Sequence, residues 1–245
     1  MGTFKIQVRS FGERAILVTW PNRVDETLLD DIIAFRMHLQ QKVLKSAEWE
    51  FVPAYNSLTI INNDTAIELD QYEEVLMQAY ATKRKKKAFK RTLWKLPVCY
   101  DPSFGIDLEE VAEALETSTE EIIRLHTDHT YILYGIGFLP GFMYLGGLPN
   151  ALEVPRKSTP RLEVPKGSVG LAGKQTGVYP QQSPGGWNII GKCPIPIFNV
   201  EKEQPCFVQV GDRIQFYSIT KDEYKLHKIE AKVGIYNIEK RNWSD

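Results

Sequence analysis

The sequence is short of the residues that would make its chemistry easy to read. It has 3 cysteines, Cys99, Cys193 and Cys206, far apart and odd in number. That spacing supports neither a disulfide framework nor a zinc site, and a reducing cytoplasm is the simplest compartment for it. Only 4 histidines are present. His126 and His129 lie close together, but the glutamate, third histidine or cysteine pair that zinc requires is missing. They read as polar residues at a frayed helix end. No run approaches the ~18 apolar residues of a membrane span, and the start MGTFKIQVRSFGERAILV lacks the apolar core of a signal peptide. Ile6 stands where a myristoylation signal needs Ser or Thr. With 30 Lys and Arg against 31 Asp and Glu, the net charge is −1. That balance removes any whole-chain attraction to nucleic acid or membrane.

What is present is an ordinary globular composition, 43% hydrophobic and 25% charged over 245 residues. It can fill one large core or two modest ones. In residues 1–95, FKIQVRS and RAILVTW read as strands. Asp25 then caps a helix whose apolar stripe is Leu28, Ile32, Phe35, Leu39 and Val43. WEFVPAY and NSLTIIN are further strands. A second helix over 68–87 turns Leu69, Tyr72, Val75, Leu76 and Ala79 inward, and TLWKLPV closes the unit. The pattern predicts an α+β architecture that begins with a ferredoxin-like α/β sandwich over 1–95. KRKKKAFKR (83–91), the one charge block, reads as a solvated helix end whose cations complement the helix dipole. Between 101 and 130 the pairs Asp107/Glu110 and Ser118/Glu121 have the spacing of capping boxes. After Tyr131, short runs such as YILYGI, SVGLAG, WNIIG and RIQFYSI alternate with Gly/Pro turns. Residues 96–245 therefore predict a β-sandwich or barrel.

Several chemistries fail on spacing. Gly167 and Gly173-Lys174 stand one position too far apart for a phosphate-binding P-loop, and Gln175 replaces its hydroxyl residue. GIGFLPG (135–141) misses the dinucleotide spacing at Pro140. Ser183 in QSPGG lacks the nucleophile elbow, and Cys193 reads as a small buried cysteine. What remains is polar and cationic. PRKSTPR (155–161) holds Arg156 and Arg161 in a proline-stiffened segment suited to a carboxylate or phosphate. Lys174, Gln175 and Tyr179 add donors, and Trp187 adds a flat apolar face. The plainer reading, in which glycine and proline build tight corners and the arginines tie loops together, stands beside it. No complete catalytic set can be assembled. Either the chain binds without catalysing, or a partner completes its site.

GFLPGFMYLGGLP (137–149), PRKSTPRLEVPKGSVGLAGKQTGVYP (155–180) and SPGGWNIIGKCP (183–194) resemble the signature of the 5-oxoprolinase B subunit family. That family is also called allophanate hydrolase subunit 1, and it includes the Kip-type sporulation-kinase inhibitors. GERAILV, PAYNSLTI and GDRIQFYSI extend the likeness over almost the whole chain; Cys193 departs from an expected Thr. The resemblance implies that the β-rich half is a cyclophilin-like barrel, carboxyltransferase-like in its pairing with a related C subunit. Together with an A subunit, the assembly would be a cytoplasmic, ATP-dependent 5-oxoprolinase that opens pyroglutamate to glutamate. Phosphorylating the lactam oxygen would make the ring carbon electrophilic. Arg156 and Arg161 would then hold a carboxylate or phosphate, with Lys174, Gln175, Tyr179 and Trp187 around it. The alternative within the same resemblance is a regulatory protein that inhibits a sensor histidine kinase.

Overall fold

A computed structural model describes residues 4–82 and 89–243, and the contacts divide the chain into two compact units, Met1–Phe89 and Lys90–Asp245. In the first unit, β1 (Gln7–Ser10) and β2 (Ala15–Thr19) form an antiparallel hairpin. The helix α1 (Glu26–His38) begins where the Asp25 carboxylate accepts the Leu28 N–H at 2.8 Å, which satisfies one of the amides a helix start leaves bare. A second hairpin, β3 (Trp49–Ala54) and β4 (Ser57–Asn62), precedes α2 (Leu69–Thr82). The four strands lie in the order β1-β2-β4-β3, all antiparallel. Two helices and an antiparallel sheet are as expected. The chain order is ββαββα, however, and differs from the βαββαβ order of a ferredoxin-like unit, because each strand pair is a local hairpin.

Leu28, Ile32 and Phe35 of α1 pack with Ile16, Val18, Leu58 and Ile60 of the sheet. From α2 come Leu76, Ala79 and Tyr80, whereas Val75, expected inside, is 42% exposed. At the helical period it falls off the stripe that Leu76 and Tyr80 define. Buried Asp31 accepts hydrogen bonds from Trp20 Nε1 at 2.8 Å and Tyr80 Oη at 2.6 Å, tying both helices to the end of β2. Residues 83–88, with most of KRKKKAFKR and the expected last turn of the second helix, lie outside the described residues.

The second unit contains, in chain order, β5 (Arg91–Val98), α3 (Leu108–Ala114), α4 (Thr119–Asp128), β6 (Thr130–Ile136), β7 (Met143–Gly146), β8 (Arg161–Val164) and β9 (Ser168–Ala172). Then come β10 (Gln175–Val178), β11 (Ser183–Gly185), β12 (Asn188–Lys192), β13 (Arg213–Ser218), α5 (Lys221–Lys232) and β14 (Lys240–Trp243). Its main strand path is β14-β5-β13-β6-β7-β10-β9-β12, antiparallel except for β5 with β13. Strands β8 and β11 form a separate ribbon. Among the described residues, strand pairing does not close this path into a ring. Its last strand meets the residue after β5 only through the isolated bridge Cys99–Lys192, with reciprocal N–H···O bonds of 2.9 Å.

Three expectations change here. TLWKLPV does not complete the first sheet. As β5 it pairs with β13 and β14, and the buried Asp212 accepts from Thr92 N at 3.0 Å and Trp94 Nε1 at 2.9 Å. His126 is no frayed-end residue: it is fully buried, bonded to Tyr100 Oη at 2.6 Å and Thr176 Oγ1 at 2.9 Å, and stacked 4.6 Å from Phe216. Burial, helped by His129, pulls its pKa down to about 3, so the ring is neutral. Asp107 gives α3 no side-chain cap. Ser118 does accept from Glu121 N at 3.2 Å, but the Glu121 carboxylate turns to Arg124. A full capping box sits instead at Thr220 and Glu223.

Candidate functional site

The aromatic residues of the GFLPGF and PGGW segments meet in one cluster of the second unit. Phe142 stands edge-on to Tyr179 (5.3 Å) and Trp187 (5.4 Å), and all three are buried. Such perpendicular pairs match the positive ring edge to the negative face. The Tyr179 hydroxyl approaches the 185–187 backbone, and the Trp187 backbone there opposes the rise in its pKa that burial causes. Gly185 makes this approach possible, since a Cβ there would stand 2.3 Å from that oxygen. Above the cluster the Arg156 guanidinium carbon lies 5.9 Å from the Trp187 ring, a cation–π distance. Arg156 is exposed and makes no ion pair among the described residues. Burial raises the pKa of Tyr144 and Tyr179, and the charge of Arg156 opposes the rise in both. Phe138, which packs edge-on to Phe142 at 5.8 Å, is 65% exposed and holds φ at +63°. A bulky residue adopts that left-handed conformation at a cost of order 1–3 kcal/mol, a feature that clusters at binding and catalytic sites.

Arg161 has different surroundings. Its Nη2 pairs with Asp107 Oδ1, and Lys157 Nζ reaches the same oxygen at 3.2 Å and Glu110 Oε2 at 2.7 Å. The other Asp107 oxygen accepts the Ile189 N–H at 2.6 Å. The Glu110 hydrogen bond, then Asp107, raise the Lys157 pKa. This carboxylate, 2% exposed, therefore pins the 155–161 segment and the start of α3 to β12. Arg161 keeps one buried nitrogen, Nη1, without a hydrogen-bond partner. Arg161 lies in register with Gly185, which abuts the Tyr179 hydroxyl, and Arg156 lies over Trp187, so the structure brings four of the expected residues, Arg156, Arg161, Tyr179 and Trp187, around one aromatic cluster.

Lys174 is not drawn in: its side chain is 80% exposed and 3.7 Å from Glu153. Gln175, half-buried, opens β10 in register with Ala172. The glycine segment offers no phosphate cradle, because the amides of Gly167 and Gly173 already bond Tyr179 O at 2.8 Å and Val154 O at 2.7 Å. Cys193 is buried and its thiol is pushed up to about 12 by burial, which leaves it protonated and inert. Among the described residues no group of three potential metal ligands converges, and no helix is long and apolar enough to cross a membrane. Sequence reasoning took Asp107 only for a helix cap and passed over Lys157, Phe138, Phe142 and Tyr144. Lys157 lay inside the quoted basic run, and the crowding of aromatics in GFLPGFMY was a visible signal for the other three rings.

The family described as carboxyltransferase domain, subdomain C and D, matches residues 6–208. The 5-oxoprolinase B subunit of Bacillus subtilis (strain 168) is 33% identical over 94% of this chain and 99% of its own length. A conserved uncharacterized protein of known structure from Pyrococcus horikoshii is 36% identical, over 89% of this chain and 100% of its own, with a TM-score of 0.53. The Kluyveromyces lactis urea carboxylase shares the fold at a TM-score of 0.80 and 17% identity. It covers 98% of this chain, which spans 24% of that protein.

Proposed function

This chain belongs to the carboxyltransferase-domain family, subdomains C and D, and from that premise we propose that it is the B subunit of a cytoplasmic, ATP-dependent 5-oxoprolinase. The observation that carries the reading is the 33% identity to a 5-oxoprolinase B subunit over 94% of the chain. The complex would hydrolyse the lactam of pyroglutamate to give glutamate, and a related C subunit together with an A subunit would complete it. The reading also takes the second unit as a cyclophilin-like barrel, supported by the Cys99–Lys192 bridge, which brings β12 at one end of the strand path against the residue that follows β5.

In this account the chain contributes one wall of the substrate site. Arg156, exposed above Trp187, takes the substrate carboxylate, for which a guanidinium supplies two parallel donors. Arg161 fixes the loop through Asp107, and its unpartnered Nη1 is buried away from the anion. The faces of Trp187 and Tyr179 exclude water behind the ring, and a drier site strengthens the ion pair. Lys174 and Gln175 belong to the rim. ATP supplies the complex with the phosphoryl group that makes a lactam carbon electrophilic. The engaged glycine amides of this chain do not fit a nucleotide, so no nucleotide contact is assigned to it. Reconstitution with the two partner proteins tests the reading. Pyroglutamate-dependent glutamate release should require this chain, and equal release without it would refute the assignment.

A further inference from the structure

A cavity of about 250 Å³ opens in the second unit between the turn at Lys166 and Gly167, the end of β12 and α5, with Tyr179 the one residue it shares with the wall described above. Its walls are fixed. Gly167 O accepts the Cys193 N–H at 2.8 Å, and a Cβ on Gly167 (φ +84°) would stand 2.4 Å from Cys193 O. The Lys192 backbone is held on both sides by Cys99, while its Nζ lies 5.6 Å from the Phe104 ring centroid. Three lysines line the space, Lys166, Lys192 and Lys228, over an apolar floor that includes Ile195 and Ile197. No Asp or Glu lines it, and none of these lysines forms an ion pair among the described residues.

Concentrated positive charge without a counter-charge is costly to hold in a concave, partly desolvated site. Burial lowers the pKa of Lys192, and the charge of Lys228 pushes it the same way. An anion with more than one charge relieves this directly. We propose that the cavity binds a phosphate dianion, either free or as the phosphoryl group of a small monoester. Ammonium groups act on phosphate as point charges from several directions, whereas a planar carboxylate is better matched by a guanidinium fork. The volume is below the ~300–1,000 Å³ typical of sites for drug-sized ligands, which fits a small ligand. The inference does not depend on the reaction proposed above.

The test is calorimetric titration of the intact chain with inorganic phosphate, against sodium chloride of equal ionic strength. Saturable binding is expected for phosphate only, together with a rise in melting temperature. Lys192→Met should weaken it about tenfold, the loss of one charge-assisted contact, while Lys192→Arg should retain it. Lys228→Gln, at an exposed helix position, should weaken it severalfold without affecting folding, so it decides the matter if Lys192→Met fails to fold. Glycerol phosphate in a parallel titration separates the sources: binding equal to that of phosphate assigns the phosphoryl group, and no binding assigns the free ion. Phosphate behaving like chloride, variants binding like the parent, or glutamate binding more tightly than phosphate would each overturn the proposal.

Discussion

The cluster around Asp107 and the face formed by Arg156 and Trp187 are joined by one short proline-stiffened segment, yet they treat positive charge in opposite ways. At Asp107, two cations and a backbone amide converge on a carboxylate that is 2% exposed. At Arg156, the guanidinium has an aromatic ring beneath it and no carboxylate beside it. The first arrangement is paired internally, and removing Asp107 would strand Arg161. The second leaves donors open for an anion from outside. Two arginines of the same run, indistinguishable by residue type, thus divide the work between holding the loop and meeting a ligand.

Breaking the closed cluster should have the largest effect on stability. Asp107→Asn would leave Arg161 without its counter-charge and Lys157 with Glu110 alone, and is expected to cost about 3 kcal/mol, as for breaking a buried ion pair; urea denaturation reads this as a lower midpoint. An unchanged midpoint would mean that the cluster is as dispensable as a surface pair. Next comes the floor beneath the open arginine. Gly185→Ala drives a Cβ to 2.3 Å from the Tyr179 hydroxyl and should cost about 2 kcal/mol through overpacking, with a weakened near-ultraviolet signal from Trp187. A parent-like spectrum and stability would show that the ring shifts freely.

His126 sharpens the contrast by a third route, since it is satisfied without being charged. Its folded pKa, about 3, lies below the ~6.5 of an unfolded histidine. The unfolded chain therefore binds the extra proton between these values. The contribution is complete above pH ~6.5 and is lost as pH falls toward 3, with a slope approaching ~1.4 kcal/mol per pH unit. Urea midpoints measured from pH 7 to pH 4 should fall accordingly. His126→Gln should flatten that slope, and an equally steep slope in the variant would assign the acid sensitivity to other groups.

Local features were legible in the sequence and distant pairings were not. The Asp25 cap and the stripe of α1 follow from adjacent residues, and the structure contains both. Thr220 and Glu223 carried the same kind of local signal and were passed over. Asp107 also had capping spacing, but its carboxylate is taken by Lys157, Arg161 and Ile189, all remote in sequence. His126 was misplaced for the same reason, because its partners Tyr100, Thr176 and Phe216 come from three separate strand regions. β5 looks like any strand of the first unit, and its parallel partner β13 arrives only after a long crossover. Of the site, the residue types and the segment were readable. Which arginine is already paired depends on Asp107, and no pattern within residues 155–161 encodes it.

The most direct test combines turnover and melting for Arg156→Ala in the reconstituted complex. An exposed residue with no ion pair should change stability by less than about 0.5 kcal/mol, so the melting curve should match the parent's. Pyroglutamate-dependent glutamate release should nevertheless fall at least about tenfold, the expected loss for one charge-assisted contact to the substrate. Parent-like turnover with a parent-like melting curve would contradict the account, because the open arginine would then touch nothing that matters to the reaction.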